Sequence, residues 1–487
     1  MHILILAPAL VLLAGFLKKL VALAQQLTSP LCLVPGPWHS KWTSAVLDYY
    51  WLRGRRAQYV QQLHEKYGRV VRLSPREVDF SSVTASKQIH SYNRPLLKGE
   101  MYDMFRTGNG YYNVFSTRDP VIHARDRRLL SAAMTEASLK GIEELVHEKA
   151  GLMIDKIGLE MKKNGMADVM KWSMFYTTDV IGELTFGDSF RMLEQGKVNQ
   201  YAYDLQQLGG QIGIRVAFPT IVKLASYLPI PLFSEAAAAI RRLISYADES
   251  IRRYEKMILV EPDNPKLTLF TKLFRVGEET ISRAEIVANA QAYIVAGSDT
   301  TAHSLTYLLW AVCRDESIKK RLVAEVEALP TGYQDEDLKS LPYLNHVIQE
   351  TLRCYAAAPG MLPRDVPQDG CEIDGYWMPG GTVVQTQAYS MHRDATVYPE
   401  PERFNPSRWE SASKEMKDAW MPFGGGARIC LGLHLAQMEL RLATTKFFRA
   451  FPNARLSTLG NFCDDDMEQV IYFLMYPKSK RCLIQTS

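Results

Sequence analysis

The stretch FGGGARICLG, residues 423–432, constrains the fold more than any other part of this chain: four glycines and one arginine surround a single cysteine. Glycine lets backbone approach a ligand closely and take up positive φ, at an entropic cost on folding. A fold that keeps such a loop must bring something large against it, with Cys430 in contact. The other six cysteines (Cys32, Cys313, Cys354, Cys371, Cys463 and Cys482) have ordinary neighbours, and seven is an odd count without regular spacing. That argues against a disulfide scaffold and for a reduced, cytosol-facing body. With 487 residues, 47% of them hydrophobic, the chain is long enough for a deep core. A net charge of +4 gives no support to nucleic-acid binding. The sequence holds no CxxC or HExxH zinc pattern and no internal repeat.

The N-terminus differs from the rest. HILILAPALVLLAGFL, residues 2–17, is a charge-free apolar run closed by Lys18 and Lys19 and followed by LVALA. A spanning helix needs roughly 20 apolar residues, with about 17 near the lower limit. Ala22-Leu23-Ala24 resembles a signal-peptide cleavage site, but signal peptides carry their positive charge before the apolar core. Here the lysines follow it, and Arg53, Arg55 and Arg56 come later, which marks the cytoplasmic side. The expectation is a retained single-pass anchor at residues 1–24 with a cytosolic body; a cleaved signal peptide is the alternative. VPGPW follows at residues 34–38, and proline stiffens the chain. Residues 25–38 therefore read as a Pro/Gly linker and 39–487 as one domain.

GRVVRLSPREVDFSS, residues 68–82, alternates around Ser74-Pro75 and reads as a hairpin. From residue 123 to 327 the pattern is mostly helical, with loops near Gly209-Gly210 and from Pro229 to Pro231. The clearest helix opens at Ser282, where Glu285 completes a capping box, and no proline interrupts it before Arg314. At 1.5 Å per residue it spans roughly 48 Å, enough to cross a whole domain. LPYLNHVIQETLRCY, residues 341–355, is a second helix with Pro342 in its first turn. Residues 371–390 and 469–483 return to strands. The fold class is mostly α with small β-sheets.

Four motifs together resemble one family. FGGGARICLG fits the Phe-x-x-Gly-x-Arg-x-Cys-x-Gly signature of the haem-thiolate monooxygenases, the cytochrome P-450 superfamily. ETLR (350–353) fits its Glu-x-x-Arg motif, PERFNPSRW (401–409) looks like its Pro-Glu-Arg-Phe segment, and AGSDTT (296–301) looks like its oxygen-activating turn. HARDRRLL and MHRDATVYPEPERF look most like the filamentous-fungal, secondary-metabolism branch. The resemblance implies the P-450 fold, with the long helix lying over haem b and Cys430 as the axial thiolate of its iron. It makes residues 39–487 the haem-thiolate catalytic domain.

A thiolate ligand pushes electron density onto haem iron and favours O–O cleavage. Backbone N–H groups of a glycine-rich loop can stabilise its charge. Gly426 and Gly432 would allow the turn and the approach to the porphyrin, Phe423 would shield the sulfur, and Arg428 would pair with a propionate. A buried core position is the ordinary fate of a lone cysteine; the ten-residue match points to a ligand instead. Glu350 and Arg353 lie on one helix face. As a surface pair they would be worth about 0–1 kcal/mol. The resemblance instead has Arg403 join them in a buried triad that locks the cysteine loop. Gly297 would open a groove for dioxygen, and Asp299 and Thr300 would relay protons; the plain alternative is that Thr300 bonds back to its own helix and bends it. His123, Arg127 and Arg364 are further haem contacts by resemblance, although the family often has tryptophan where His123 stands. Arg125, Arg128, Lys414 and Lys417 could dock an acidic electron donor, or be ordinary surface charge.

The implied function is insertion of one oxygen atom from O2 into an apolar small molecule, at the endoplasmic reticulum membrane. Electrons would come from NADPH through a cytochrome reductase, with cytochrome b5 as a further partner. Expected substrate walls are Met101–Ser116, Leu205–Phe233, Ala292–Ala296, Pro359–Leu362 and Asp464–Tyr472, with Tyr111, Tyr112, Phe115, Tyr293 and Met361 as either pocket or core. Two alternatives stand: a peroxide-rearranging haem-thiolate enzyme without a reductase, and a non-catalytic membrane haem carrier or sensor.

Overall fold

The helices that position the site are α1 (Pro120–Ser131), α2 (Glu143–Asn164), α3 (Val169–Phe186), α4 (Arg283–Arg314), α5 (Pro342–Cys354) and α6 (Leu433–Ala450). The computed structural model describes residues 28–92, 96–107, 110–204, 231–260, 268–271 and 281–486. The anchor expected at 1–24, the loop at Gly209-Gly210 and most of the Leu205–Phe233 wall lie outside them. Pro231 does not sit in a loop: it opens the helix Pro231–Val260, a first-turn position where its missing N–H costs nothing.

Local sequence explains where the helices begin and end. Asp119 caps α1 by accepting from the N–H groups of Val121 and Ile122, with Pro120 in the first turn. Asp168 does the same for α3, which stops at Gly187 in left-handed backbone. The capping box of α4 forms as expected: Ser282 accepts from the Glu285 N–H, and the Glu285 carboxylate accepts from the Ser282 N–H. α2, α3, α4 and α6 share the main hydrophobic core, which buries Ile157, Phe175, Ile181, Leu308 and Phe447.

A small sheet lies apart from this core. β1 (Val70–Ser74) and β2 (Glu77–Phe80) form the expected hairpin. β3 (Leu97–Lys98), β4 (Arg364–Asp365) and β5 (Val383–Gln385) complete the order β1-β2-β5-β4-β3, in which β2 and β5 run parallel and the other pairs antiparallel. β6 (Gln469–Ile471) and β7 (Met475–Pro477) make a separate hairpin.

The linker expected at 25–38 is corrected where it is described. Leu31 and Val34 are buried in the core that also holds Val70, Val78 and Phe80, and Pro35 O accepts from the Arg72 N–H at 2.7 Å. This segment packs on the sheet instead of spacing it. Among the described residues no helix is long and apolar enough to cross a membrane.

Candidate active site

The Cys430 loop is shaped by its glycines. Gly424 and Gly426 take positive φ, +72° and +60°. A Cβ at Gly426 would fall 1.5 Å from His90 O, so the loop can lie against that carbonyl only with glycine there. At Gly432 a Cβ would meet only Cys430 Sγ, at 4.0 Å, so glycine keeps the flank of the thiol bare. Cys430 N–H donates to Phe423 O at 3.0 Å. The residue is exposed, yet burial raises its pKa above the usual thiol value, against the pull of the Gly432 N–H and Arg127. Both hold if the sulfur opens onto a space enclosed by protein rather than onto the outer surface.

A buried ionic lock holds this loop. Arg353 donates to both Glu350 oxygens at 2.9 Å, and both side chains are fully buried. Burial opposes the arginine's charge, and the Glu350 hydrogen bonds outweigh it and raise its pKa. Glu350 also accepts from Arg408 Nε at 2.9 Å, Trp409 Nε1 at 3.0 Å and the Asn405 N–H at 2.8 Å. Arg403 is therefore not the third member of the triad; Arg408 is. The Arg403 side chain is 66% exposed and pairs with Glu400, and only its carbonyl reaches the lock, accepting from Arg353 at 3.2 Å. The link to the thiol runs through His392. Its Nδ1 donates to Arg353 O at 3.0 Å and its Nε2 accepts from the Met421 N–H at 2.9 Å. Burial and then Arg353 push its pKa down to about 3, which fits this neutral tautomer. Trp409, Trp420 and Phe423 continue as edge-to-face rings 6.1 and 6.2 Å apart.

Beside the loop lies a group of cations that find no ion-pair partner among the described residues. Lys98 and Arg364 are direct cross-strand partners on β3 and β4, a like-charge pairing that destabilises a sheet. Arg428, Arg127 and His123 join them. Burial, then Arg364 and Arg428, hold Lys98 well below the usual lysine value. Burial, then Arg364, bring Arg428 down to about 10. Burial, then Arg428 and Arg127, bring His123 down to about 3. Lys98, Arg127, Arg364 and Arg428 donate to the carbonyls of Phe115, Ile429, Pro363 and Thr117, and among the described residues none of the four forms an ion pair. Buried charge without a partner is costly. Such a cluster beside an accessible thiol and bare glycine backbone fits a large dianionic macrocycle that offers its metal to the sulfur: the residues present suit haem. Sequence reasoning had Arg364, Arg428, Arg127 and His123 but missed Lys98, because strand pairing alone brings it to Arg364.

On α4 the expectations fare differently. Burial pushes Asp299 up to about 6. The Thr300 hydroxyl donates to Ala296 O at 2.6 Å, the back-bonded arrangement. A Cβ at Gly297 would lie 2.6 Å from Ile181 Cγ1, so glycine lets α4 close on α3, a packing reason for this glycine beside the expected dioxygen groove. Val295, within the expected Ala292–Ala296 wall, is exposed in mid-helix. Tyr293 and Met361 are buried core, whereas Tyr111 and Phe115 are open. Phe473, one residue beyond the expected wall, packs tilted against Phe105 and edge-to-face on Phe115, with centroids at 4.8 and 5.6 Å. The basic docking face is weakened, since Arg125 is tied to Asp126 and Glu285 and Lys414 to Asp418.

Comparison with known proteins bears on the same site. A family profile described as Cytochrome P450 matches residues 35–480. The chain is 46% identical over 460 residues to the cytochrome P450 monooxygenase tazI of Aspergillus terreus, covering 94% of each. It is 40% identical to the cytochrome P450 monooxygenase orf2 of Aspergillus niger, covering 94% of this chain and 93% of that one. It is 31% identical to the tryprostatin B 6-hydroxylase of Aspergillus fumigatus, covering 90% and 78%. A profile that spans nearly the whole described body, and relatives that share up to nearly half its residues, turn the resemblance into a finding: the chain belongs to the cytochrome P450 family, the haem-dependent monooxygenases with a cysteine thiolate ligand.

Proposed function

We propose that this monooxygenase inserts one atom of O2 into an apolar small molecule of fungal secondary metabolism, with Cys430 as the iron ligand. A reductase supplies electrons from NADPH, cytochrome b5 serves as a second donor, and residues 1–24 hold the enzyme on the endoplasmic reticulum membrane. The observation that carries the reading is the accessible Cys430 thiol beside four cations that form no ion pair among the described residues. Hydroxylation is the proposed outcome, in line with the relative named a 6-hydroxylase.

When bound, haem supplies oxygen activation, and its thiolate ligand favours O–O cleavage. Arg364, Arg428 and Lys98 would hold the two carboxylates of the group, and neutral His123 would offer a hydrogen bond without adding charge. Arg127 steadies the loop through Ile429 O. Asp299, with a pKa near 6, can take and release a proton close to neutrality. Thr300 passes that proton on once its hydroxyl turns away from Ala296 O. Phe105, Phe115 and Phe473 offer apolar ring faces to the substrate. The test is the spectrum of the reduced, CO-bound protein. The wild type should show the red-shifted Soret band of thiolate ligation and Cys430→Ala should lose it; retention of that band in the variant would assign the ligand to another cysteine.

A further inference from the structure

We propose that Asn289 is a positioning residue for the substrate wall: its side chain ties α4 to the turn at 113–117 and so fixes the ring of Phe115. The proposal rests on the monooxygenase reading for its consequence but not for its geometry. Residues 111–119 form neither helix nor strand, yet Asn113, Val114, Ser116 and Thr117 are buried. Buried backbone outside regular structure must find its hydrogen bonds elsewhere. Within the turn, Thr117 N–H donates to Asn113 O at 2.9 Å, and the Asn113 side-chain oxygen accepts from the N–H groups of Phe115 and Ser116 at 3.0 and 2.9 Å. Val114 N–H donates outward instead, to Asn289 Oδ1 at 2.8 Å, across 175 positions of the chain. Asn289 is 0% exposed, and the other end of its amide is satisfied as well: Nδ2 donates to Glu285 O, four residues back on α4, at 2.8 Å. That second bond sets which end of the amide faces the turn.

What the turn carries gives this tie its consequence. The Phe115 ring, 37% exposed, packs edge-to-face on Phe105 and Phe473, with centroids at 5.3 and 5.6 Å. The Phe115 carbonyl accepts from Lys98, whose Nζ lies 4.2 Å from the centroid of the same ring. The Thr117 carbonyl accepts from Arg428 at 2.9 Å. One aromatic face and the aim of two cations beside Cys430 therefore depend on the same short turn, and Asn289 ties that turn to α4. Phe115 is the member of the turn left partly open, so a shift of the turn displaces a ring that a ligand can touch. Rings from three separate stretches, at 105, 115 and 473, meet there, and such a surface favours a ligand that itself carries aromatic rings.

Substitutions at 289 and 115 test this in the holoenzyme. Asn289→Ser keeps a bond to Glu285 O, as the hydroxyls of Thr300, Ser304 and Thr306 bond four residues back on the same helix, but is too short to reach Val114. Asn289→Asp keeps an oxygen for Val114 in either protonation state. In hydrogen exchange resolved to single amides, Asn289→Ser should speed the Val114 amide roughly tenfold, the factor expected for one buried hydrogen bond. Asn289→Asp should stay near the wild type. Spectral titration then reads the wall with two azoles that ligate haem iron: imidazole, a single small ring, and clotrimazole, whose imidazole carries a triaryl group. Asn289→Ser should weaken clotrimazole about fivefold, the size of one aromatic contact, and leave imidazole unchanged. Asn289→Asp should restore clotrimazole binding. Phe115→Ala should weaken clotrimazole too, and adding Asn289→Ser to it should weaken it no further. A structural role alone would lower stability without this selectivity or this non-additivity. Wild-type exchange at Val114 in Asn289→Ser, equal losses for both azoles, or additive losses in the double variant would each overturn the proposal. If the wild type shows no azole-induced Soret shift, the haem reading falls, while the Val114 exchange rates still decide on the tie.

Discussion

Arg403 and Arg408 sit in two pieces of the same form, Pro-x-Arg-aromatic: PERF at 401–404 and PSRW at 406–409. Only the second turns its arginine inward. The Arg408 side chain is 7% exposed and bonds Glu350, while Arg403 is 66% exposed. Removing one partner of a buried ion pair costs about 3–5 kcal/mol. Arg408→Ala should therefore lower the melting temperature and the haem content per protein, because Glu350 loses a cation inside the lock that runs through His392 to Met421. Arg403→Ala should change neither beyond the small effect of an exposed pair. Equal haem loss in both variants would sink the assignment of Arg408. The sequence made Cys430, Glu350 and Arg353 legible because each lies within a dense motif. It could not tell which of two equivalent arginines points inward, since the short 3-10 helix at Pro406–Ser411 decides that. Nor could it find Lys98, whose role arises from a cross-strand pairing 266 positions away in the chain.

At the scale of the element, α4 was the most readable part of the chain. Its capping box, its length and its freedom from proline were all visible, and the helix runs from Arg283 to Arg314 as expected. What sits beside its glycine was not visible. A mid-helix glycine costs about 1 kcal/mol relative to alanine, which demands a reason without naming one. The reason is Ile181 of α3, whose Cγ1, Cδ1 and Cβ would lie 2.6, 2.9 and 3.0 Å from a Cβ at residue 297. Helix propensity alone would favour Gly297→Ala, but overpacking a core typically costs about 1–3 kcal/mol. The variant should be destabilised by an amount in that range in denaturant titration. Adding Ile181→Ala should recover part of the loss, because Cγ1 and Cδ1, the two nearest of the colliding atoms, are gone. If Gly297→Ala is as stable as the wild type, or if Ile181→Ala brings no recovery, close packing of α3 on α4 is not what this glycine serves.

For the whole molecule, sequence patterning conveyed a helical body with small sheets off to one side, and the described residues bear that out. It misjudged the boundary at the front. Proline in VPGPW suggested a spacer, yet Leu31 and Val34 are core residues, because an apolar side chain every few positions suffices to pin a stiff segment to a sheet. The same segment leaves Leu33 83% and Trp38 78% exposed. Tryptophan favours the membrane–water interface, so a body held there by residues 2–17 would place these side chains where they are least costly. The expected result is that full-length protein stays with microsomal membranes after an alkaline carbonate wash, with its N-terminus near Met1. A chain starting at Thr28 should be released by the same wash while keeping the thiolate CO band, since the Cys430 loop, its ionic lock and its cations all lie in the remaining body. The carbonate step removes proteins held by charge alone, so Lys18, Lys19 and the basic residues near Arg53 cannot account for retention. A full-length product recovered in the soluble fraction with its N-terminus near Gln25 would replace the anchor with a cleaved signal peptide.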